Sequence, residues 1–425
     1  MKLSLGSHWR SLSRRQLQPV AAGLVIGLVL GVVLLGLLRR GDSFLDRSAS
    51  TALDPDSTTP TDGGSPDLLR QSRTTAIVTA VEMTRRCVVA IRAAGPVEVR
   101  SPMLDLFRFP AGRPHTVERE WVGSGFLVDQ IGSVVTMAHV VEGATELSIS
   151  LGDGTSVHAE VVGLAPRFDL ALLRADIGIS PAASAALLGN SDDVLVGEWA
   201  IAIGSPFGDT VSDPQPSVSV GVISAVKRDM RPPESSHGTW PYFNLLQTDA
   251  AINNGNSGGP LVNTNGEVIG VNMALLNPQM RAANVGVNFS VPINTVKWVV
   301  EELSTFGAVR APWVGWQLAE LMSPETRKEM GLAEEDGQLL VSAVEAGSPA
   351  ERAGIRVGDL LMKLNDLAPY SLLRAERILF ETRVGDRIRA QVMKDGQPVD
   401  VVLEVLENPT VQAERLQRAS RRAPG

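Results

Sequence analysis

A single cysteine, Cys87, serves a chain of 425 residues. An internal disulfide is therefore excluded, and so is a zinc site built on paired cysteines. Such a thiol reads as a small buried apolar residue. No polybasic domain is visible and the formal net charge is −8, so nucleic acid is not an expected partner. Also missing is the alternation of strands with amphipathic helices that a parallel α/β sheet requires. Charge is absent altogether from "PVAAGLVIGLVLGVVLLGLL", Pro19–Leu38.

That uncharged run is long enough to cross a bilayer at ~1.5 Å per helical residue. Lys2, Arg10, Arg14 and Arg15 precede it, which predicts a cytoplasmic N-terminus. Arg39 and Arg40 follow directly and weaken that bias. A cleaved signal peptide is the rival reading, but the short apolar core and A-x-A site it needs are missing. Residues 1–40 thus read as a basic segment plus a single-pass anchor spanning about 19–38. Residues 41–73, rich in Ser, Thr, Asp, Pro and Gly, read as a flexible linker.

From about Thr74 the pattern changes. "TAIVTAVEMTRR" has helical spacing. Then come short apolar runs bounded by turn residues, among them "GSGFLV", "SVVTMAHVV", "ELSISL", "LALLRA", "EWAIAIG" and "EVIGVNMAL". Many short strands at this rhythm predict an all-β barrel or sandwich. "INTVKWVVEEL" looks like a closing helix, so a first domain covers residues 74–307. A second unit, 311–407, carries Gly-Asp pairs, a "KDGQ" hairpin signal and a helical stretch near Ser371–Glu381. The polar, basic residues 408–425 read as a disordered tail.

The stretch "NNGNSGGPLV", Asn253–Val262, sets Ser257 among glycines. A serine hydroxyl is a poor nucleophile without an adjacent base, and histidine is the usual one. The chain has five histidines. His8 lies before the uncharged run, His115 and His237 fall in loop-like stretches, and His158 reads as a solvent-facing strand residue. His139, at the end of "SVVTMAHVV", is the candidate base. Asp169 opens the apolar run "DLALLRA"; an acid beside a buried strand needs a partner, and the His139 Nδ1–H can supply it. The order His139, Asp169, Ser257 is that of the chymotrypsin-like double barrel. Gly255 can take a backbone angle that a β-carbon forbids, and the N–H groups of Gly255 and Ser257 can then face a developing oxyanion.

"VVTMAHVV", "FDLALLRA" and "QTDAAINNGNSGGPLV" closely resemble the motifs of the HtrA/Deg serine proteases, in their membrane-anchored form. The resemblance covers roughly residues 74–407. It implies a mainly β chain: a double β-barrel protease domain and a C-terminal PDZ domain, preceded by one transmembrane helix. It implies His139 as base, Asp169 as its orienter, Ser257 as nucleophile, and Gly255 with Asn256 shaping the oxyanion loop. It also implies a homotrimer and ATP-independent cleavage of unfolded or regulatory proteins, with no metal or cofactor. Met137 and Asn254 depart from residues frequent in these motifs, and neither is a triad position. Where trypsin-type zymogens have an acid to pair with a new N-terminus, this chain has the uncharged Asn256.

In sites of this type the residue six before the nucleophile floors the side-chain pocket. Here it is Ala251, followed by Ile252, with Val287, Asn288 and Phe289 as the wall. An apolar floor is expected to prefer Val, Ala, Ile or Leu. "GQLLVSAVEAGSPAERAGIRVGDLLMKLND" resembles a bacterial PDZ domain, which takes C-terminal peptides as an added strand. "WVGW", Trp313, Val314, Gly315 and Trp316, stands where the carboxylate loop belongs, and Trp316 is bulkier than the usual aliphatic. The expected location is the inner membrane, with both domains in the periplasm or an equivalent space. The alternative is a catalytically weak, membrane-anchored PDZ chaperone or sensor.

Overall fold

The computed structural model describes residues 73–99, 115–178, 180, 183–206, 215–230, 241–253, 255–274, 286–321, 323–329, 339–369 and 371–422. The expected anchor and linker, His8, His237 and Asn254 lie outside them. Among the described residues, no helix is long and apolar enough to cross a membrane.

The first domain opens with α1, Ala76–Thr84, capped by the Thr75 hydroxyl accepting from the Val78 N–H. A closed six-stranded barrel follows: β1 (Val88–Val99), β2 (His115–Leu127), β3 (Ser133–Met137), β4 (Glu146–Ser150), β5 (Ser156–Ala165) and β6 (Leu170–Ala175) in the order β1-β2-β3-β6-β5-β4. β3 is buried along its whole length. β4 alternates exposed and buried residues, as period-two patterning requires of a strand with one face in the core. His115, expected in a loop, instead opens β2 opposite Val99. The proline-rich stretch before it hid the strand start, because the pairing that defines it comes from a distant strand.

A second sheet contains β7 (Leu187–Leu188), β8 (Trp199–Gly204), β9 (Ser217–Met230), β10 (Tyr242–Thr248), β11 (Pro260–Val262), β12 (Glu267–Met273) and β13 (Asn288–Pro292). Its order is β11-β8-β9-β10-β13-β12-β7, and an extra β11–β12 pairing closes a second barrel. The closing helix α2, Ile293–Phe306, buries Ile293, Val296, Val299 and Leu303 at helical spacing and ends on Gly307 in the left-handed region. It touches β5 and β6 of one barrel and β12 and β13 of the other, tying the two together.

The second domain begins with β14 (Pro312–Trp313). A five-stranded antiparallel sheet follows, of β15 (Trp316–Glu320), β16 (Leu339–Val344), β17 (Leu360–Leu364), β18 (Arg387–Lys394) and β19 (Gln397–Glu404), and β20 (Leu406–Glu407) returns to pair with β14. β15 is an edge strand. Helix α3, Leu372–Phe380, packs beside it, capped by the Ser371 hydroxyl. The core includes Val314, Leu339, Val341, Leu361, Ile388 and Val392.

The tail, expected to be disordered, forms helix α4, Pro409–Arg422. Asn408 accepts from the Thr410 N–H at 3.0 Å, a start signal followed by proline at the first helical position. Arg415 then grips Glu407 through two bonds of 2.8 and 2.9 Å and lies over the Phe306 ring at 5.4 Å. Composition marked these residues as solvated; a contact with a domain boundary some distance back in the chain orders them.

Cys87 is 1% exposed. Burial pushes its thiol up from 9.0 to about 12. The folded chain then keeps a proton that the unfolded chain releases. Stability contributed by this group is full below pH ~9 and falls as pH rises toward 12, by up to about 1.4 kcal/mol per unit. Native protein at pH 8.5 is expected to resist iodoacetamide and to be alkylated once unfolded, which mass spectrometry reads directly.

Candidate active site

His139 sits on the helical turn Ala138–Val141 that follows β3. Asp169 sits between the short 3-10 turn Pro166–Phe168 and β6. β3 and β6 pair with Met137 opposite Leu170, so the strand register alone brings the two residues together across 30 positions of sequence. The ladder ends there in three contacts. The Ala138 N–H donates to the Asp169 carbonyl at 2.9 Å. The His139 N–H donates to Asp169 Oδ1 at 3.0 Å, and His139 Nδ1 lies 2.7 Å from Oδ2. The carboxylate is thereby satisfied although Asp169 is only 9% exposed. A carboxylate at Nδ1 leaves Nε2 as the proton acceptor.

Asp169 holds φ 51° and ψ 40°. A left-handed backbone costs a non-glycine residue roughly 1–2 kcal/mol and persists where its surroundings over-determine it. Those surroundings include Tyr242, whose hydroxyl lies 3.5 Å from Oδ2. Burial, and then the Asp169 charge, raise the Tyr242 phenol well above its ordinary range, so it stays protonated as a donor.

Ser257 is 5% exposed, between β10 and β11. Its loop is fastened to both barrels. From the first, the Ser124 N–H donates to the Ser257 carbonyl at 2.9 Å, and the Ser124 hydroxyl donates to the Gly255 carbonyl at 2.5 Å. From the second, the Gly258 N–H donates to the Asn272 carbonyl at 2.9 Å and the Asn272 N–H to the Gly259 carbonyl at 2.8 Å. Two glycines permit this. Gly258 has φ +87°, and a β-carbon there would lie 2.1 Å from the Ser124 carbonyl oxygen. Gly255 has φ +94°, and a β-carbon would come within 2.5 Å of Pro206.

Among the described residues, the N–H groups of Gly255 and Ser257 have no acceptor within the chain. Donors without an acceptor in one loop are what an oxyanion hole requires. The Asn256 N–H is not free, since it bonds the Asn253 carbonyl at 3.0 Å. Asn256 Oδ1 is buried without a partner. The Ser257 hydroxyl accepts from the Ala274 N–H at 2.9 Å, and among the described residues no hydrogen bond joins it to His139. Hydroxyl–base bonds of this kind tighten when substrate arrives.

Of the other anticipated positions, Ile252 is 5% exposed and Val287 46%. Asn288 Nδ2 donates to the Ala250 carbonyl at 3.0 Å, and the Ser219 hydroxyl donates to the Ala251 carbonyl at 2.6 Å. The 250–252 segment therefore lies against the start of β13, where Phe289 pairs with Gln247 and Met273. In the second domain Trp313 closes β14 and Trp316 opens β15, with Val314 buried and Gly315 at φ +79° between them. The Trp316 Nε1–H is buried without an acceptor. His158 is exposed on β5. Tyr242, Ser124 and Asn272 escaped the sequence reading. Ser124 alone left a signal, in the two glycines flanking it.

Residues 123–271 match the model of the trypsin-like peptidase domain and 325–405 that of the PDZ domain. A probable periplasmic serine endoprotease DegP-like of Halomonas elongata is 34% identical over 303 residues, 71% of this chain and 60% of its own length. Its counterpart of Chlamydia trachomatis is 36% identical over 288 residues, 68% of this chain and 54% of its own. The chain thus spans little more than half the length of these curated relatives. Among solved structures, a serine-to-alanine form of the HtrA-type protease AlgW with a decapeptide is 30% identical. It has a TM-score of 0.63 and covers 79% of this chain and 98% of its own.

Replacing Asp169 by Asn keeps the size of the side chain but places a donor where Nδ1–H must donate. Turnover of casein is expected to fall by about 10⁴-fold through the wrong imidazole tautomer, with an unchanged circular dichroism spectrum. Retention of a tenth of the activity would remove Asp169 from the site.

Proposed function

The chain belongs to the HtrA/Deg family of serine proteases with a PDZ domain, and from that membership we propose an ATP-independent endopeptidase that acts outside the cytoplasm under the control of its PDZ domain. One observation carries the reading. His139 and Asp169 are paired at 2.7 Å, and the Gly255 and Ser257 N–H groups have no acceptor among the described residues.

In the proposed reaction the Ser257 hydroxyl attacks the scissile carbonyl while His139 Nε2 takes its proton. The imidazolium so formed is stabilised by Asp169 and then protonates the leaving amine. The carbonyl oxygen, negative in the intermediate, accepts from the Gly255 and Ser257 N–H groups, which contribute roughly 3–4 kcal/mol each. Water releases the acyl group by the same steps reversed. Ala251 and Ile252 as an apolar floor, with Val287, Asn288 and Phe289 as the wall, favour small or medium apolar side chains. A Lys or Arg there loses its hydration without a partner.

The substrates proposed are unfolded or regulatory proteins, engaged with the help of C-terminal peptide binding at Trp313–Trp316 and the edge strand β15. An edge strand with a helix beside it is what strand addition requires. A homotrimer is supported by the outer face of β8 and β9, where Trp199, Val218 and Val220 are 52%, 42% and 40% exposed. Exposed apolar patches of this kind mark protein contacts. The uncharged run 19–38 is proposed as an inner-membrane anchor with a cytoplasmic N-terminus.

Incubation of the purified chain with casein, without ATP, tests the reading. Wild-type protein is expected to cleave it and Ser257→Ala to lose all but a trace. An inactive wild type that still binds peptides would leave the chaperone or sensor reading. Mass-spectrometric mapping is expected to place most cuts after Val, Ala, Ile or Leu; a majority after Lys or Arg would overturn the pocket. Sedimentation is expected to give the mass of three chains, and a monomer would overturn the trimer.

A further inference from the structure

Helix α3 has two apolar faces that belong to different domains. Leu372, Ala375, Ile378 and Leu379 pack into the core of the second domain. Leu373 and Phe380, seven positions apart on another face, pack instead with the core of the protease domain. Arg377 lies between them on that face, since residues three and four apart are helical neighbours. Phe380 meets the protease domain at Phe168, the residue before Asp169, and Arg377 meets it at Asp229 on β9.

Two routes run from α3 to that carboxylate. In the first, the Phe380 ring stacks on Phe168 at 4.7 Å between centroids. Phe168 directly precedes Asp169 and is itself held edge-on by Trp298 of α2 at 5.1 Å. In the second, Phe380 packs on Phe243 at 5.1 Å. Phe243 follows Tyr242, whose hydroxyl lies 3.5 Å from Asp169 Oδ2. A charge link runs along the same route. Arg377 Nη1 donates to Asp229 Oδ2 at 2.8 Å, and Asp229 Oδ1 accepts from the Asn244 N–H at 3.1 Å. Asn244 stands at φ 60° in the bulged part of the β9–β10 ladder. Two strained residues, Asp169 and Asn244, thus flank one ring contributed by the other domain.

We infer that Phe380, with Arg377, is a positioning residue for the Asp169–His139 pair, so that the PDZ helix braces the catalytic acid. This rests on the endopeptidase reading and adds to it a specific path of control. Helix α3 is also the element beside the edge strand β15. A peptide added to that edge presses on the helix whose opposite face supports Phe168 and Phe243. A left-handed residue keeps its conformation only while its neighbours hold it. Loss of the Phe380 ring frees Phe168 to relax and lets the carboxylate swing away from Nδ1. The effect falls on the chemical step, because none of these groups lines the pocket for the substrate.

The test uses the full chain and fluorescent casein, with wild type and Ser257→Ala alongside. Phe380→Ala is expected to lower kcat about tenfold or more, as misplacement of a catalytic group does, with KM within about twofold. The downfield proton resonance of His139 Nδ1–H is expected to broaden or shift in the same variant. Phe380→Tyr, which keeps the ring, is expected to restore both. Arg377→Ala leaves the ring in place and removes the charge link, so it reports even if Phe380→Ala fails to fold. A kcat lower by about twofold to fivefold is expected there, the value of one partly exposed ion pair. An inactive wild type would defeat the endopeptidase reading itself. An active wild type whose kcat is matched or exceeded by Phe380→Ala, or, where that variant does not fold, by Arg377→Ala, would overturn this inference alone.

Discussion

The carboxylate of Asp169 is the constraint on which the rest of the site depends. It ends the β3–β6 ladder, adopts a left-handed backbone and accepts from His139 through both of its oxygens. Buried acids are costly unless their lone pairs are filled. Here the filling groups are the imidazole and the backbone of the proposed base, with the Tyr242 hydroxyl more distant. Satisfying the acid and orienting the base are therefore one event.

The Ser257 loop follows the opposite logic. Where Asp169 is held by the side chain it must hold, Ser257 is held mainly through its backbone. Ser124 of the first barrel and Asn272 of the second bond the carbonyls and N–H groups around it. That arrangement fixes the loop's backbone and, among the described residues, leaves the Gly255 and Ser257 N–H groups without an acceptor. A site divided between two barrels is sensitive to how they pack. Helix α2 touches strands of both and carries Trp298 to the back of Phe168. The PDZ helix reaches the same ring through Phe380.

Much of this was legible in the chain because it is written locally. The Ser257 loop announces itself through glycines at positions where a β-carbon would collide with Ser124 or Pro206. Alternation in β4 and helical spacing in α2 follow from periods of two and 3.6. His139 stands where one apolar strand stops and Asp169 where another starts. What was not legible came from long-range pairing. His115 is in a strand because Val99 lies opposite it. The tail is helical because Arg415 finds Glu407 and Phe306. Tyr242 stands 3.5 Å from the carboxylate because β10 of the second barrel comes up against the Asp169 turn of the first.

The sequence by itself determined the kinds of residue available and their order: one base, one buried acid, one serine among glycines, then a second unit with peptide-binding signals. Period, turn chemistry and burial cost suffice for that, since each acts over a few residues. Tertiary structure alone decided that Phe380 belongs to the core of the other domain, that its ring stacks on Phe168 next to Asp169, and that Arg377 finds Asp229. The side chains of α3 carry no mark of which domain they will touch. An apolar face is equally content in either core, and only the docking of the two domains settles where it is buried.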